Sequence, residues 1–220
     1  MEGAWTGVID TVWFENRAGE KLFPCRDLGM VLVSHDCPSP RVRAYMVTLD
    51  GADGCVDLSD WAGEPLYQRR TVRLRLRDMS GRGRSRVEDF VDGMELKIRF
   101  SEQEGVFYLG RCVAFTSATR CGVTDMEMRF FCEPYRLMDA LTRRSFTVSG
   151  EKTVSLRARR MSAAPRVTCS APMTMTLAGE PIPLAEGEQT PEGLILTRTG
   201  TNLTLTGQGT ATFVWRDGIL

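Results

Sequence analysis

An alternation of apolar and polar residues with a period of two constrains this chain most. It is clearest in residues 71–77 (TVRLRLR) and 124–132 (TDMEMRFFC). Successive side chains of a β-strand point to opposite faces, so one set can enter a core while the other stays in water. Alternating or apolar segments of this kind cover residues 42–49, 71–77, 95–100, 106–115, 124–132, 153–159, 166–169, 173–177, 194–198, 202–206 and 210–215. Their spacing, with turn residues between them, predicts an all-β protein built from antiparallel sandwiches.

Only one segment predicts a helix. Residues 85–91 begin with Ser85, and Glu88 follows three residues later, which is the pattern of a capping box. Val87, Phe90 and Val91 then share one face, and Gly93 ends the segment. A helix this short is expected to pack against a sheet.

A change in composition predicts two domains. Pro134 ends the first series of strands, and residues 135–141 are patterned like a linker. The second half has few aromatic residues and many threonines, and residues 178–193 are rich in Pro and Gly, as in a loop. We therefore expect a β-sandwich domain with one short helix over residues 1–140, and a small β-sandwich domain over residues 141–220.

Charge and hydropathy argue against several classes of partner. The 28 Lys and Arg residues balance the 28 Asp and Glu residues, so no basic excess favours sequence-specific nucleic-acid binding or anionic lipid. No apolar run approaches the roughly 20 residues that span a bilayer. The N-terminus has no pattern of a secretory signal. The sequence predicts a soluble protein made in a cytoplasm, with no membrane partner.

The residues that usually carry chemistry are sparse. Seven cysteines without a CxxC pair, and His35 as the single histidine, favour reduced thiols and supply no zinc ligand set. The acidic turn at residues 50–57 resembles a calcium loop, but the twelfth position holds Trp61 instead of glutamate. No GxSxG motif is present, and no pair of carboxylates stands out. We expect no metal, no cofactor, no catalytic residue and no enzymatic activity.

Two basic segments are candidate interaction surfaces. On a strand, Arg73, Arg75 and Arg77 would form an outward stripe, while Val72 and the following leucines face the core. This stripe is either a partner surface or a solvated, cross-strand-paired face. A Gly-rich loop, predicted to be mobile and to order on binding, carries the other basic group, which consists of Arg82, Arg84 and Arg86.

The order and spacing of several short motifs resemble the distal tail proteins of long-tailed phages and prophages. The resemblance rests on residues 53–59 (DGCVDLS), residues 63–67 (GEPLY) with 69–72 (RRTV), and residues 132–135 (CEPY). Residues 30–34 (MVLVS) are similar to an early strand of the family, and the C-terminal strand and tail match its ending. The resemblance covers most of residues 25–136 and, more loosely, the C-terminal end.

The resemblance implies a structural part of the virion tail, made in the bacterial host cytoplasm. Six copies would form a ring that joins the tail tube to the host-recognition tip or baseplate. The expected partners are further copies of the chain, the tail tube protein, the tape-measure protein and the tail-tip or baseplate hub protein. A small carbohydrate- or peptide-binding β-sandwich module is the alternative that the fold class allows.

Ring assembly requires complementary patches on each copy. We expect the basic stripe and the basic loop to lie on one side of a contact made mainly by the first domain. The proposed partner patch is the turn region that carries Asp50, Asp53, Asp57 and Asp60. Because the overall charge is zero, separated patches of opposite sign can attract between copies.

Overall fold

The computed structural model describes residues 11–51, 53–60 and 63–220, and it consists mainly of antiparallel strands. The predicted all-β class is confirmed. The chain divides into two compact units, of which the first ends at Arg136 and the second begins at Leu137. Residues 1–10 and Trp61, which the sequence analysis considered, lie outside the described residues.

Seven strands of the first unit form one antiparallel sheet in the order β3-β6-β9-β8-β7-β1-β2. Strands β4 and β5 pair only with each other. The elements of this unit are β1 (Val12–Glu15), β2 (Lys21–Leu22), α1 (Pro24–Leu28), β3 (Val31–Asp36), β4 (Met46–Val47), β5 (Val56–Asp57), β6 (Arg70–Asp78), α2 (Arg84–Val91), β7 (Glu95–Phe100), β8 (Val106–Arg120) and β9 (Val123–Cys132).

The sheet folds over on itself around a single core. Phe14 on β1 and Phe130 on β9 belong to strands that are not neighbours, yet their ring centroids lie 5.8 Å apart. Their contact therefore joins the two halves of the sheet face to face. Val87 and Val91 of α2 are fully buried in the same cluster, as their spacing in the sequence predicts.

The helices differ from the sequence prediction in two respects. Helix α2 begins at Arg84, its N-cap is Gly83, and no side chain caps it, so the predicted Ser85 capping box is wrong. A second short helix, α1, was not predicted. It has Pro24 in its first turn and ends at Gly29 in the left-handed conformation. Neither described helix has the length and apolarity needed to cross a membrane.

The second unit is built around two long strands. Its elements are β10 (Arg136–Leu156), β11 (Arg166–Cys169), β12 (Met173–Leu177), β13 (Glu180–Leu184), β14 (Gly187–Gln189) and β15 (Thr201–Ile219). Strand β15 lies beside β10 and pairs with β12 through its first half and with β11 through its second half. Phe213 and Trp215 of β15 are buried in the core of this unit.

Three segments of the chain correct the sequence reading. The predicted linker at residues 135–141 lies mostly in β10, and the predicted loop at 178–193 contains β13 and β14. The predicted strand at 194–198 is reduced to an isolated bridge between Ala163 and Leu196.

A glycine allows β8 and β9 to approach each other closely. Gly110 lies opposite Cys132 in the ladder, and both residues are buried. A Cβ atom at position 110 would lie 2.9 Å from the Cys132 Cα and 3.0 Å from the Phe131 carbonyl oxygen, and it would also clash with the Cys132 sulfur. Backbone atoms of β9 would have to move to accept any larger residue.

We therefore expect Gly110→Ala to destabilise the first unit by about 1–3 kcal/mol, the usual cost of overpacking a core. Urea unfolding followed by far-UV circular dichroism measures this change. Ala118→Ser, at an exposed position of the same strand, is the control and should change the free energy of unfolding by less than about 0.5 kcal/mol. Equal stability of Gly110→Ala and the wild type would contradict the close approach.

Candidate functional site: a charged strand face and an exposed arm

The basic stripe of β6 lies beside a second charged row on β9. The antiparallel register places Arg73 opposite Arg129, Arg75 opposite Glu127, and Arg77 opposite Asp125. The intervening residues Val72, Leu74 and Leu76 are buried, as the alternation predicts. The pairing therefore gathers six charged side chains on one outward face, which we call the charged face.

Asp125 binds two of the three arginines of the stripe. Arg77 donates to both Asp125 oxygens, over 2.7 and 3.0 Å, and Arg75 donates over 2.8 Å. Hydrogen bonds from Arg77 and then Arg75 hold the pKa of the Asp125 carboxyl well below its ordinary value. The alternative interpretation of the stripe, as a cross-strand-paired face, therefore applies to Arg75 and Arg77.

Arg73 is in a different situation. It is exposed, it faces Arg129 directly across the ladder, and neither guanidinium makes a hydrogen bond or ion pair with any described residue. On the other side of Arg73, β3 places Asp36 opposite it. Like charges that face each other across two strands are unfavourable. The two arginines line a groove of about 430 Å³ together with residues of β3 and β8.

A buried aspartate organises the loop that carries Arg82. The Oδ1 atom of Asp78 accepts hydrogen bonds from the Ser80 and Gly81 amides and from the Ser80 hydroxyl, over 2.7–3.0 Å. Its Oδ2 atom accepts from the Gly83 amide over 2.7 Å. Burial by itself would raise the pKa of the Asp78 carboxyl, but these hydrogen bonds outweigh it and lower the pKa. The loop predicted to be mobile is thus tied to the end of β6.

The basic loop presents its three arginines to solvent from this fixed backbone. Arg82, Arg84 and Arg86 are all exposed. Arg84 pairs with Glu88 one turn further along α2, over 3.2 Å. Gly83 packs tightly at the helix start, where an added Cβ would clash with the end of the Met30 side chain.

The described residues between positions 41 and 69 form a two-stranded arm with no core of its own. At its base, Gln68 donates to the Arg41 carbonyl over 2.8 Å and Arg43 donates to the Leu66 carbonyl over 2.7 Å. Further out, β4 and β5 pair with each other alone. No residue described between positions 41 and 69 is buried. An isolated two-stranded hairpin is marginally stable in water, so this arm lacks the support that the rest of the unit has.

The arm exposes apolar side chains and also carries the predicted acidic patch. Its exposed large apolar residues are Val42, Tyr45, Met46, Leu49, Val56 and Leu66. Asp50, Asp53, Asp57 and Asp60 are exposed as well, and among contacts between described residues only Asp57 has a side-chain hydrogen bond, from the Ser59 amide. Hydrogen bonding from Ser59 lowers the pKa of the Asp57 carboxyl.

Two of the motif segments named in the sequence analysis meet in the structure. Buried Arg70 donates to the Pro134 carbonyl and, over 3.4 Å, to the Pro38 carbonyl. Arg69 forms an ion pair with Glu133 over 2.7 Å. The roles visible here are structural, because the contacts connect the start of β6 to the segment that follows β9.

The other reactive groups of the described residues have structural surroundings. His35 stacks on Phe100 and pairs with Glu102 over 3.0 Å. All seven cysteines are thiols, and burial raises the pKa of Cys132 to about 12. In the described ranges, no group of three or more His, Cys, Asp or Glu side chains is placed to hold a metal ion.

Sequence reasoning missed Asp125 and Arg129. The signal for them was present, because Asp125, Glu127 and Arg129 alternate with buried residues in the same period of two as the β6 arginines. Which β6 residue faces which β9 residue, however, depends on the register, and two alternating strands can pair in several registers.

The fold is shared with a phage protein of known structure. The crystal structure of the SPP1 Dit protein (gp 19.1), described as a paradigm of the hub adsorption apparatus in phages that infect Gram-positive bacteria, matches with a TM-score of 0.66 at 15% identity. The match covers 96% of this chain and 100% of that one. The phage p2 baseplate, in its activated conformation with Sr, matches with a TM-score of 0.48 at 8% identity over 94% of this chain and 98% of that one. No family model and no curated protein sequence matches the chain.

The Asp78 anchor predicts an acid-sensitive contribution to stability. Because the pKa of Asp78 is lower in the folded protein, its contribution is complete above the unfolded-chain pKa of about 3.9 and is lost as pH falls through the lower folded value. Asp78→Asn should cost about 1–3 kcal/mol at neutral pH, because its amide nitrogen cannot accept hydrogen bonds.

Urea unfolding from about pH 6 to about pH 3 tests this, and the difference between wild type and Asp78→Asn should shrink as pH falls. Asp89→Asn, at an exposed position of α2 with no hydrogen bond or ion pair to a described residue, is the control and should follow the wild type near neutral pH. A difference that stays constant over the whole pH range would show that the Asp78 charge contributes nothing.

Proposed function

We propose that this protein is a structural subunit of a phage or prophage tail. In this proposal six copies form a ring that joins the tail tube to the tail tip or baseplate. The tail tube, tape-measure and hub proteins would be its neighbours in the virion. Such a role requires contact surfaces and no catalytic centre. The arm and the charged face are surfaces of this kind.

The arm is the observation that carries the proposal. It exposes six large apolar side chains and has no buried residue of its own in the described part. Covering such side chains in an assembly removes apolar surface from water at about 25 cal/mol per Å². A ring offers each copy a neighbour that can provide this cover. The shared fold with the SPP1 hub protein supports the same function.

The charges support contacts between unlike patches. Arg73, with Arg82, Arg84 and Arg86, supplies basic groups, while the arm carries the four aspartates. A contact that uses two different patches on each copy runs head to tail, and it closes into a ring when the rotation per copy divides the circle. The proposed interface includes Arg75 and Arg77 as well, whose charges Asp125 already partly offsets.

We expect the purified protein to form rings with a mass six times that of one chain. Light scattering gives the mass, and negative-stain microscopy shows whether the particles are rings. Tyr45→Ser with Met46→Ser, two arm residues that are 57% and 53% exposed, should shift the protein toward monomers without unfolding it.

The matched control replaces two apolar residues of similar exposure in the second unit. Leu141→Ser with Ile195→Ser, at positions 44% and 54% exposed, should leave assembly unchanged. A wild type that stays monomeric at about 100 µM, well above the dissociation constants of specific assemblies, would refute the self-assembling ring. Loss of assembly in both double variants would show that general apolarity drives association, and not the arm.

A further inference from the structure

We infer that the Arg73–Arg129 pair is the binding site for the acidic turn of the arm, Asp50 and Asp53, of a second copy. This inference rests on the proposed assembly and goes further by naming the two groups that meet. It also assigns a role to Arg129, which no motif singles out. The geometry of the pair, the charges around it and the position of the turn support it separately.

The first argument is that the arginine pair lacks an anion. Arg73 and Arg129 stand directly opposite each other on neighbouring strands and make no polar contact with described residues. Opposed residues on an antiparallel pair have their Cβ atoms about 5 Å apart, so the two guanidinium groups repel each other. Two carboxylates placed between them would replace this repulsion with charge-assisted hydrogen bonds.

The second argument is that the carboxylates nearby do not supply this anion. Asp125 is occupied by Arg75 and Arg77, and Glu127 lies opposite Arg75 in the register. Asp36, which lies opposite Arg73 on β3, and Glu127 line the same groove as the arginine pair, but neither forms a hydrogen bond or ion pair with Arg73 or Arg129. The groove thus holds two guanidinium groups that have no ion-pair partner among the described residues.

The third argument is the form of the acidic turn. Asp50 and Asp53 lie where the arm reverses direction between β4 and β5, both are exposed, and neither has a hydrogen bond or ion pair to a described residue. Two carboxylates in one turn match two guanidinium groups in number and sign. Complementary charge of this kind also speeds encounter and fixes the register of a contact.

The arm of a second copy is the occupant that best fits these observations. Within a single chain, no hydrogen bond or ion pair joins the turn to the arginine pair among the described residues. In a head-to-tail ring, each copy binds one neighbour with its arm and the other neighbour with its charged face. Every arm and every charged face in the ring therefore has a partner. An inorganic anion or a nucleic-acid phosphate in the groove is an outcome that the test below distinguishes.

Charge reversal tests the pairing. Arg73→Glu with Arg129→Glu, and separately Asp50→Arg with Asp53→Arg, should each raise the dissociation constant of assembly at least about tenfold. Arg143→Glu with Arg144→Glu changes the net charge by the same amount as the Arg73 and Arg129 reversal, at exposed positions of the second unit, and should leave assembly unchanged. Circular dichroism and thermal melting show that each variant is folded.

Mixing the two reversed variants gives the sharpest result. One variant has an acidic arm and an acidic face, and the other has a basic arm and a basic face. Neither should assemble alone, but an equal mixture should form rings in which the two alternate, because six is even. Light scattering should show this recovery, and it should weaken as salt screens the contact.

Several results would overturn the inference. Rings formed by Arg73→Glu with Arg129→Glu at wild-type strength would show that the pair is not in the contact. Folded variants that fail to assemble when mixed would show that the turn and the pair do not meet. Binding of phosphate or DNA to the wild type that the arginine reversal abolishes, with assembly intact, would assign the groove to such anions. In these cases the wild-type ring persists, whereas a monomeric wild type refutes the proposed function itself.

Discussion

The pairing of β6 with β9 is the interaction on which the rest of the first unit depends. Its nine-residue register, from Arg70 opposite Cys132 to Asp78 opposite Thr124, fixes which side chains enter the core and which form the charged face. Both ends of β6 carry a buried polar residue whose hydrogen bonds hold backbone that lies outside the strand. Arg70 binds carbonyls that follow β3 and β9, the two strands beside β6, and Asp78 binds the loop that leads into α2. One strand therefore positions the core, the loop and the charges together.

The alternation made much of this unit predictable. Residues 71–77, 95–100 and 124–132 lie in strands, and their alternating residues are buried. These strands were predictable because a strand with one face in the core shows apolar residues at every second position. The apolar face of α2 was predictable for the same reason, although its beginning was not. Gly83 is the N-cap because it packs against Met30 and donates a hydrogen bond to Asp78, and both of these residues lie outside the helix.

Other features depend on contacts that a sequence does not display. Strand β13 contains Pro181 and Pro183, which are typical of loops, but it lies at the edge of its sheet, where a missing amide donor is tolerated. The arm has strand-like residues at 42–49, yet only Met46 and Val47 lie in a strand, because no second sheet supports the rest. The cross-strand partners of Arg73 and Arg75 differ because of the register alone, and a shift of two residues could place Arg73 opposite Glu127 and Arg75 opposite Asp125.

The separation of core and charge onto opposite faces of β6 and β9 has an evolutionary consequence. Outward residues such as Arg73, Glu127 and Arg129 alternate with the buried residues and point to the opposite face, so we expect mutations there to leave the packing of Val72, Met128 and Phe130 intact. A lineage can therefore exchange these charges step by step, in concert with whatever they bind, while the scaffold drifts independently. Different side chains of the same two strands therefore determine the specificity of association and the stability of the fold.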